Sequence, residues 1–275
     1  MEDLFSDLQS SEIWSGVLLV DYQNSNLDDP YTFEEALRFL PFEVQRKILS
    51  KRISTARNAS LSNALLQTFG CSVASSTTMN ELCLKYGTFG KPYLDNDHSI
   101  AFSMSNGQQY VVQYLVKTAG ETVDVGIDIA SKQDYINDQD IDVFRAIFST
   151  MEYEQLESCS QYNEKRELFS YLWSLKECYT KLVGCGLNCD LSLIDFGKPR
   201  ILESPAVIHR TINNTSVTFY SQWLEPEKEE VVTVCHYTSS ATERFLTMPP
   251  KFYKLTLDDL IKYFTSHIEK EKECT

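Results

Sequence analysis

The sequence predicts an α+β protein built as two similar subdomains, each a long helix packed on a small antiparallel sheet. Three observations carry this. Val44 to Phe69 and Glu164 to Val183 space their apolar residues three or four apart, as long helices do. The other apolar runs are short and bounded by turn residues, which suits antiparallel strands. Helices and strands do not alternate strictly, and no glycine-rich phosphate loop of either common type occurs, which argues against a doubly wound nucleotide-binding fold.

Each element follows in order. Ile13 to Tyr22 reads as a strand and Phe33 to Leu40 as a short helix closed by Pro41, whose ring cannot continue a helix. The long helix from Val44 places Ile48, Ala56, Ala59 and Leu65 among its apolar positions and is expected to stop at Gly70. A turn-rich stretch, "YGTFGKPYL", covers Tyr86 to Leu94. Strands Ile100 to Ser105 and Tyr110 to Val116 follow, joined by a turn at Asn106 and Gly107. The polar link Lys117 to Thr122 contains Gly120 and suggests a division into subdomains 1–120 and 121–275.

The second subdomain opens with a strand, Val123 to Ala130, then a polar stretch from Ser131 to Asp142. A helix is expected around Val143 to Phe148 and another from Met151. The helix from Glu164 repeats Leu168, Leu172, Leu175, Tyr179 and Leu182, and Gly184 stops it. Strands are expected at Leu191 to Phe196, Ser216 to Trp223 and Glu230 to Tyr237. A last helix, Leu257 to Ile268, leads into a solvated tail.

Composition bounds the function. A chain of 275 residues, 43% hydrophobic and 12% aromatic, can bury a substantial core. Its acidic start lacks the features of a secretory or transit peptide, and the apolar run Gly16 to Val20 is too short to span a bilayer. A cytoplasmic protein without membrane association is expected. Cys71, Cys83, Cys159, Cys178, Cys185, Cys189, Cys235 and Cys274 are expected to be reduced and structural; no Cys-x-x-Cys occurs and the four histidines are isolated. The net charge of −14 argues against nucleic acid, which is bound by neutralising phosphates. Yet "VQRKILSKRISTARN" gathers Arg46, Lys47, Lys51, Arg52 and Arg57 with no acid between Val44 and Asn58. Such a run is either a solvated helix face or a local anion site.

Two stretches carry chemistry. In "VGIDIA", Val125 to Ala130, strand alternation sets Asp128 between Gly126 and Ala130 on one face. That carboxylate either faces solvent or stands in a cleared space where it meets a metal or substrate. In "WSLKECYTKLVG", Trp173 to Gly184, Glu177 and Lys181 lie four apart on one helix face. Alone, such a pair is worth only a few tenths of a kcal/mol.

Together these stretches resemble the two signature motifs of the 4′-phosphopantetheinyl transferases, Gly-x-Asp-x-Glu and Trp-x-x-Lys-Glu-x-x-x-Lys-x-x-Gly. "GKPYL" at Gly90 to Leu94 and "FSMSNG" at Phe102 to Gly107 agree in order and spacing. "FGKPYLDN", "VGIDIAS", "YLWSLKE" and Gly186 to Gly197 look most like the fungal branch that serves α-aminoadipate reductase in lysine biosynthesis. The resemblance implies a cytoplasmic, monomeric transferase of two pseudo-symmetric halves that binds coenzyme A and Mg²⁺. Its partner would be the apo carrier domain of α-aminoadipate reductase, whose serine would receive phosphopantetheine with release of adenosine 3′,5′-bisphosphate. Such a reaction needs charge offset on two phosphates and in-line alignment, which a hard divalent ion and cationic side chains supply.

By the same resemblance, Asp128 and Glu177 would hold the metal and Glu177 would take the serine proton. Lys181 would contact the pyrophosphate, and Lys176 would lie toward coenzyme A or the carrier. Lys91, Ser105 and Asn106 would touch the nucleotide, while Arg57 with one or both of Arg46 and Lys47 would meet the 3′-phosphate. Gly126 and Ala130 would keep side chains out of the pyrophosphate space. The sequence departs from the family at Ala130, usually Glu, and at Asn106, usually His. Those departures motivate an alternative, a catalytically inactive module that binds coenzyme A or a carrier protein. Joint retention of Asp128, Glu177 and Lys181 favours the transferase.

Overall fold

The computed structural model describes residues 1–135, 137, 144–203, 205–225, 228–238, 246 and 249–273. The helices and strands, in chain order, are α1 (Glu2–Ser10), β1 (Trp14–Asp21), α2 (Pro30–Leu37), α3 (Phe42–Leu49), α4 (Ser54–Ser75), β2 (Leu84–Tyr86), β3 (Pro92–Leu94), β4 (Ile100–Asn106) and β5 (Tyr110–Lys117). There follow β6 (Val125–Ser131), α5 (Thr150–Ser158), α6 (Tyr162–Val183), β7 (Ala206–Ile212), β8 (Thr215–Trp223), β9 (Glu230–Tyr237), β10 (Lys251–Leu255) and α7 (Leu257–Glu273). The mixed α+β class is as expected. Among the described residues no helix is long and apolar enough to cross a membrane.

The chain forms two compact units. The first comprises Met1–Lys85, Tyr93–Thr122 and Pro250–Thr275. Its sheet has the order β10-β1-β5-β4, with β1–β5 and β4–β5 antiparallel and β1–β10 parallel. The 22-residue α4 buries Leu61, Leu65, Leu66 and Phe69 in a cluster with Leu18, Val20, Val111 and Leu115 of the sheet. Each such side chain stabilises the unit by about 1.5–3 kcal/mol.

The second unit comprises Tyr86–Pro92 and Val123–Pro249. Its sheet, β6-β9-β8-β7, is antiparallel throughout. Here too a 22-residue helix, α6, packs on the sheet, burying Leu168, Leu172, Leu175 and Leu182 against Phe219, Val231 and Cys235. The units share a partial plan: a first strand, a long helix, then antiparallel strands of which one (β5 or β9) pairs with the first, while the first unit alone adds a parallel edge strand, β10.

Several expectations differ from this structure. The chain does pass between units at Thr122, at the expected link, but the two-piece division 1–120 and 121–275 is not the one seen: Tyr86–Pro92 joins the second unit and Pro250–Thr275 the first, where β10 pairs with β1 and Leu260 and Phe264 of α7 enter the cluster. The expected helix Val44 to Phe69 is two helices, broken at residues 50–53, where Ile53 is extended with ψ 127°. Rather than stopping at Gly70, α4 runs through it, since the missing side chain leaves room for that of Gln113 on β5. The helix ends instead at Ser76, whose φ of 55° is left-handed. Leu191 to Phe196 is not a strand: Asp190 accepts hydrogen bonds from Ser192 N–H and Oγ–H, folding Leu191–Leu193 into a tight 3₁₀ turn.

Of the expected helix over 143–148, Val143 lies outside the described residues, while Phe144 is helical and its carbonyl accepts from Ile147 and Phe148 N–H. Helix α1 and strands β2, β3, β7 and β10 are not among the expected elements. Hairpin β7–β8 turns at Asn213 and Asn214, with φ of 50° and 61°, the pattern of a type I′ turn. The cysteine expectation fails at two positions: Cys185 and Cys189 are paired as a disulfide, their Cα atoms 5.9 Å apart, a span that suits such a bridge. Cys71, Cys178 and Cys235 are buried, Cys83 is exposed, and Cys274 lies outside the described residues.

Candidate active site

The second unit brings Asp128, Glu177 and Lys181 together. β6 places Asp128 on its α6-facing side, next to Thr233 of β9 and only 5% exposed. α6 presents Glu177 and Lys181 one turn apart. Lys181 Nζ donates to Asp128 Oδ1 at 2.7 Å. Glu177 Oε1 is buried and makes no hydrogen bond. Burial first, then the negative charge of Asp128, push the Glu177 carboxyl above the ordinary carboxylate range, while Lys181 pulls it back.

Close packing of α6 on β6 creates this geometry. A Cβ at Gly126 would fall on the Cys178 carbonyl oxygen of α6 and within 2.9 Å of Leu182 N. Gly126 therefore admits the helix backbone, which corrects its expected role of clearing space for a pyrophosphate. Ala130 is likewise packed, 1% exposed within the apolar cluster of the second unit. Hydroxyls fasten the same surface: Ser170 Oγ donates to the Ser131 carbonyl at 2.9 Å, and Ser174 Oγ lies 2.7 Å from Thr233 Oγ1. Thr233 is a site neighbour that a strand pattern alone does not reveal.

Lys91 stands at the C-terminal end of α6. Its Nζ donates to the Leu182 carbonyl at 2.8 Å and to Asp124 at 3.4 Å, and its methylenes pass beside Gly184, whose φ is 74°. An ammonium there complements the negative end of the helix dipole.

Lys176 contradicts its expected place near coenzyme A or a carrier. Its side chain is fully buried, with Nζ donating to Glu152 at 2.8 Å, to the Leu191 carbonyl at 2.9 Å and to the Ile194 carbonyl at 2.6 Å. All three of its N–H groups are thus used inside the core. Neighbouring residues of a helix point about 100° apart, which sends Lys176 into the core while Glu177 faces Asp128.

The other candidates belong to the first unit. Arg46 and Lys47 lie on α3, both exposed, with Arg46 paired to Glu43 at 2.8 Å. Arg57 is half-buried in the first turn of α4, so the basic run is split between two helices. Ser105 is buried in β4, and Asn106 Oδ1 accepts from Asn63 of α4 at 2.7 Å.

Two carboxylates, one with a buried unpartnered oxygen, beside an ammonium form a donor set suited to a hard divalent cation that also keeps phosphate and water ligands. Among the described residues no three His, Cys, Asp or Glu side chains gather into a fuller metal cage. A carboxylate with a raised pKa is also a better proton acceptor.

Comparison with known proteins bears on this arrangement. A family model described as "4′-phosphopantetheinyl transferase superfamily" matches residues 124–235, which include Asp128, Glu177 and Lys181. The chain is 41% identical over 254 residues to the L-aminoadipate-semialdehyde dehydrogenase-phosphopantetheinyl transferase of Saccharomyces cerevisiae, covering 91% of each chain. It is 36% identical to the protein of the same name from Candida glabrata, over 86% of this chain and 88% of that one. It is 30% identical to the 4′-phosphopantetheinyl transferase gsp of Aneurinibacillus migulanus, over 64% of this chain and 65% of that one.

Proposed function

Because the chain belongs to the 4′-phosphopantetheinyl transferase superfamily, we propose that it loads the carrier domain of L-aminoadipate-semialdehyde dehydrogenase, also called α-aminoadipate reductase, in lysine biosynthesis. Coenzyme A is the co-substrate. The relatives' names support that carrier. The observation that carries the chemistry is the buried, unpartnered Glu177 Oε1 beside Asp128 and Lys181.

In the reaction, the serine hydroxyl oxygen of the carrier attacks the β-phosphorus of coenzyme A. A phosphodiester forms, the pyrophosphate bridge breaks, and adenosine 3′,5′-bisphosphate leaves. Glu177 accepts the serine proton, a role that its raised pKa suits. Lys181 offsets phosphate charge from its place on α6. Asp128 and Glu177 would hold Mg²⁺, which supplies further charge neutralisation at the pyrophosphate. Lys91, Ser105 and Asn106 are assigned to the nucleotide. Arg57 with one or both of Arg46 and Lys47 is assigned to the 3′-phosphate, where charge-assisted hydrogen bonds are strong. The enzyme is taken to act in the cytoplasm as a monomer.

The test is to mix the protein with coenzyme A, Mg²⁺ and the apo carrier domain of L-aminoadipate-semialdehyde dehydrogenase, and to weigh the carrier. A gain of one phosphopantetheine is expected. A carrier left in its apo form under excess protein would sink the assignment.

A further inference from the structure

We propose that Lys176, through a fully buried ion pair with Glu152, is a positioning residue that sets the rotation of α6 and so the placement of Glu177; the inference rests on the transferase reading. Three segments meet at this pair. Lys176 Nζ reaches Glu152 Oε2 and the carbonyls of Leu191 and Ile194. Glu152 Oε2 also accepts from Ser149 N–H at 2.8 Å, and Oε1 from Phe196 N–H at 2.8 Å. Ser149 Oγ donates in turn to Asp195 at 2.7 Å. One side chain of α6 is thereby tied to the start of α5 and to the segment 191–196.

Both side chains are 0% exposed. Burying two charges strips each of its water, and apolar residues of similar volume often stabilise a core as well or better. Stability alone therefore explains the pair poorly, whereas geometry explains it. On its sheet side α6 is held by Gly126 packing and by the Ser170 and Ser174 hydroxyls. Those contacts fix how close the helix lies. Lys176 fixes the opposite side, with three bonds at 2.6 to 2.9 Å that a rolled or slipped helix could not keep. Glu177 is the next residue, and its Oε1 has no hydrogen bond of its own to hold it. Its carboxylate is placed by the helix that carries it.

The test uses the full chain with both charges removed, Lys176→Met with Glu152→Gln, so that no lone buried charge is left behind. Thermal unfolding establishes that the variant folds. The expected result is a KM for coenzyme A within about threefold of the parent and a kcat at least tenfold lower. Glu177→Gln, made in both backgrounds, should cost the parent at least tenfold more than it costs the variant, because a misplaced carboxylate has less to lose. A crystal structure of the variant should show the Glu177 carboxylate displaced relative to Asp128. Unchanged kcat, or an equal cost of Glu177→Gln in both backgrounds, would overturn the proposal. Should that double variant fail to fold, Lys176→Gln with Glu152→Gln, which leaves both positions polar and uncharged, is read by the same kinetics and cycle. A parent without transferase activity would instead refute the functional reading, and the variant's crystal structure would then decide the positioning claim by whether Glu177 had moved.

Discussion

Glu177 is costly to fold and useful for that reason. Its carboxyl is raised by burial and by Asp128, so the folded state resists its ionisation, which lowers stability at neutral pH. The cost vanishes below the ordinary glutamate pKa, where folded and unfolded chains are both protonated. Arg57 belongs to the same scale. If it meets the 3′-phosphate, the protein should bind coenzyme A better than 3′-dephospho-coenzyme A, and Arg57→Ala should shrink that preference by about 1.5–3 kcal/mol, read by calorimetry with both nucleotides. Equal affinities in the parent would remove the basic run from the nucleotide site.

Among elements, the fit of α6 on β6 governs the site. Gly126→Ala would push a methyl group into the Cys178 carbonyl and should lower stability by about 1–3 kcal/mol in urea unfolding, with a loss of transfer rate as the helix shifts. A variant as stable and active as the parent would show that the packing is looser than described. The sheet beneath holds His236, 2% exposed, with its Nδ1 unpartnered. His209 reaches the Thr218 hydroxyl at 3.0 Å, and Thr218 lies opposite His236 in the register. Burial, then the charge of His209, push His236 down to about 4. A depressed histidine pKa means that the unfolded chain takes the proton first, so stability falls as pH drops from about 6.5 toward 4. At 1.36 kcal/mol per pKa unit, the loss is about 3 kcal/mol, and His236→Gln should flatten this limb of the pH–stability curve.

The elements also show what the sequence makes legible and where it stops. α6 and its Gly184 stop follow from local spacing, because each depends on neighbours in one helix; the meeting of Asp128 with Glu177 and Lys181 joins a strand to a helix some fifty residues on and is legible only through the family resemblance. Lys176 does not, since lysine reads as surface and only the fold supplies Glu152 and two carbonyls. Gly126 reads equally well as a gap for a ligand or for a helix; tertiary packing decides. Strand β10 escapes because its partner, β1, lies at the other end of the chain. β7 could have been found, as Asn213-Asn214 between β-branched runs is a hairpin signal.

At the scale of the molecule, the first unit closes only when the C-terminal segment returns. Tyr253, Leu255, Leu257, Leu260, Tyr263 and Phe264 all enter its core cluster. A chain ending at residue 249 should lose cooperative unfolding of that unit, and a peptide of residues 250–275 added in trans should restore it, as monitored by hydrogen exchange of β1 and β5. A truncated chain with native protection in those strands would contradict the architecture.

The central claim, that Glu177 serves transfer and not folding, is tested most directly by Glu177→Gln. Release of adenosine 3′,5′-bisphosphate is measured with coenzyme A, Mg²⁺ and the apo carrier domain, alongside thermal unfolding at neutral pH in chelator. The account predicts a loss of at least a hundredfold in turnover, the scale of general acid–base catalysis, in a protein that melts at or above the parent's temperature. Near-parental turnover, or a loss of turnover matched by a loss of folding, would contradict it.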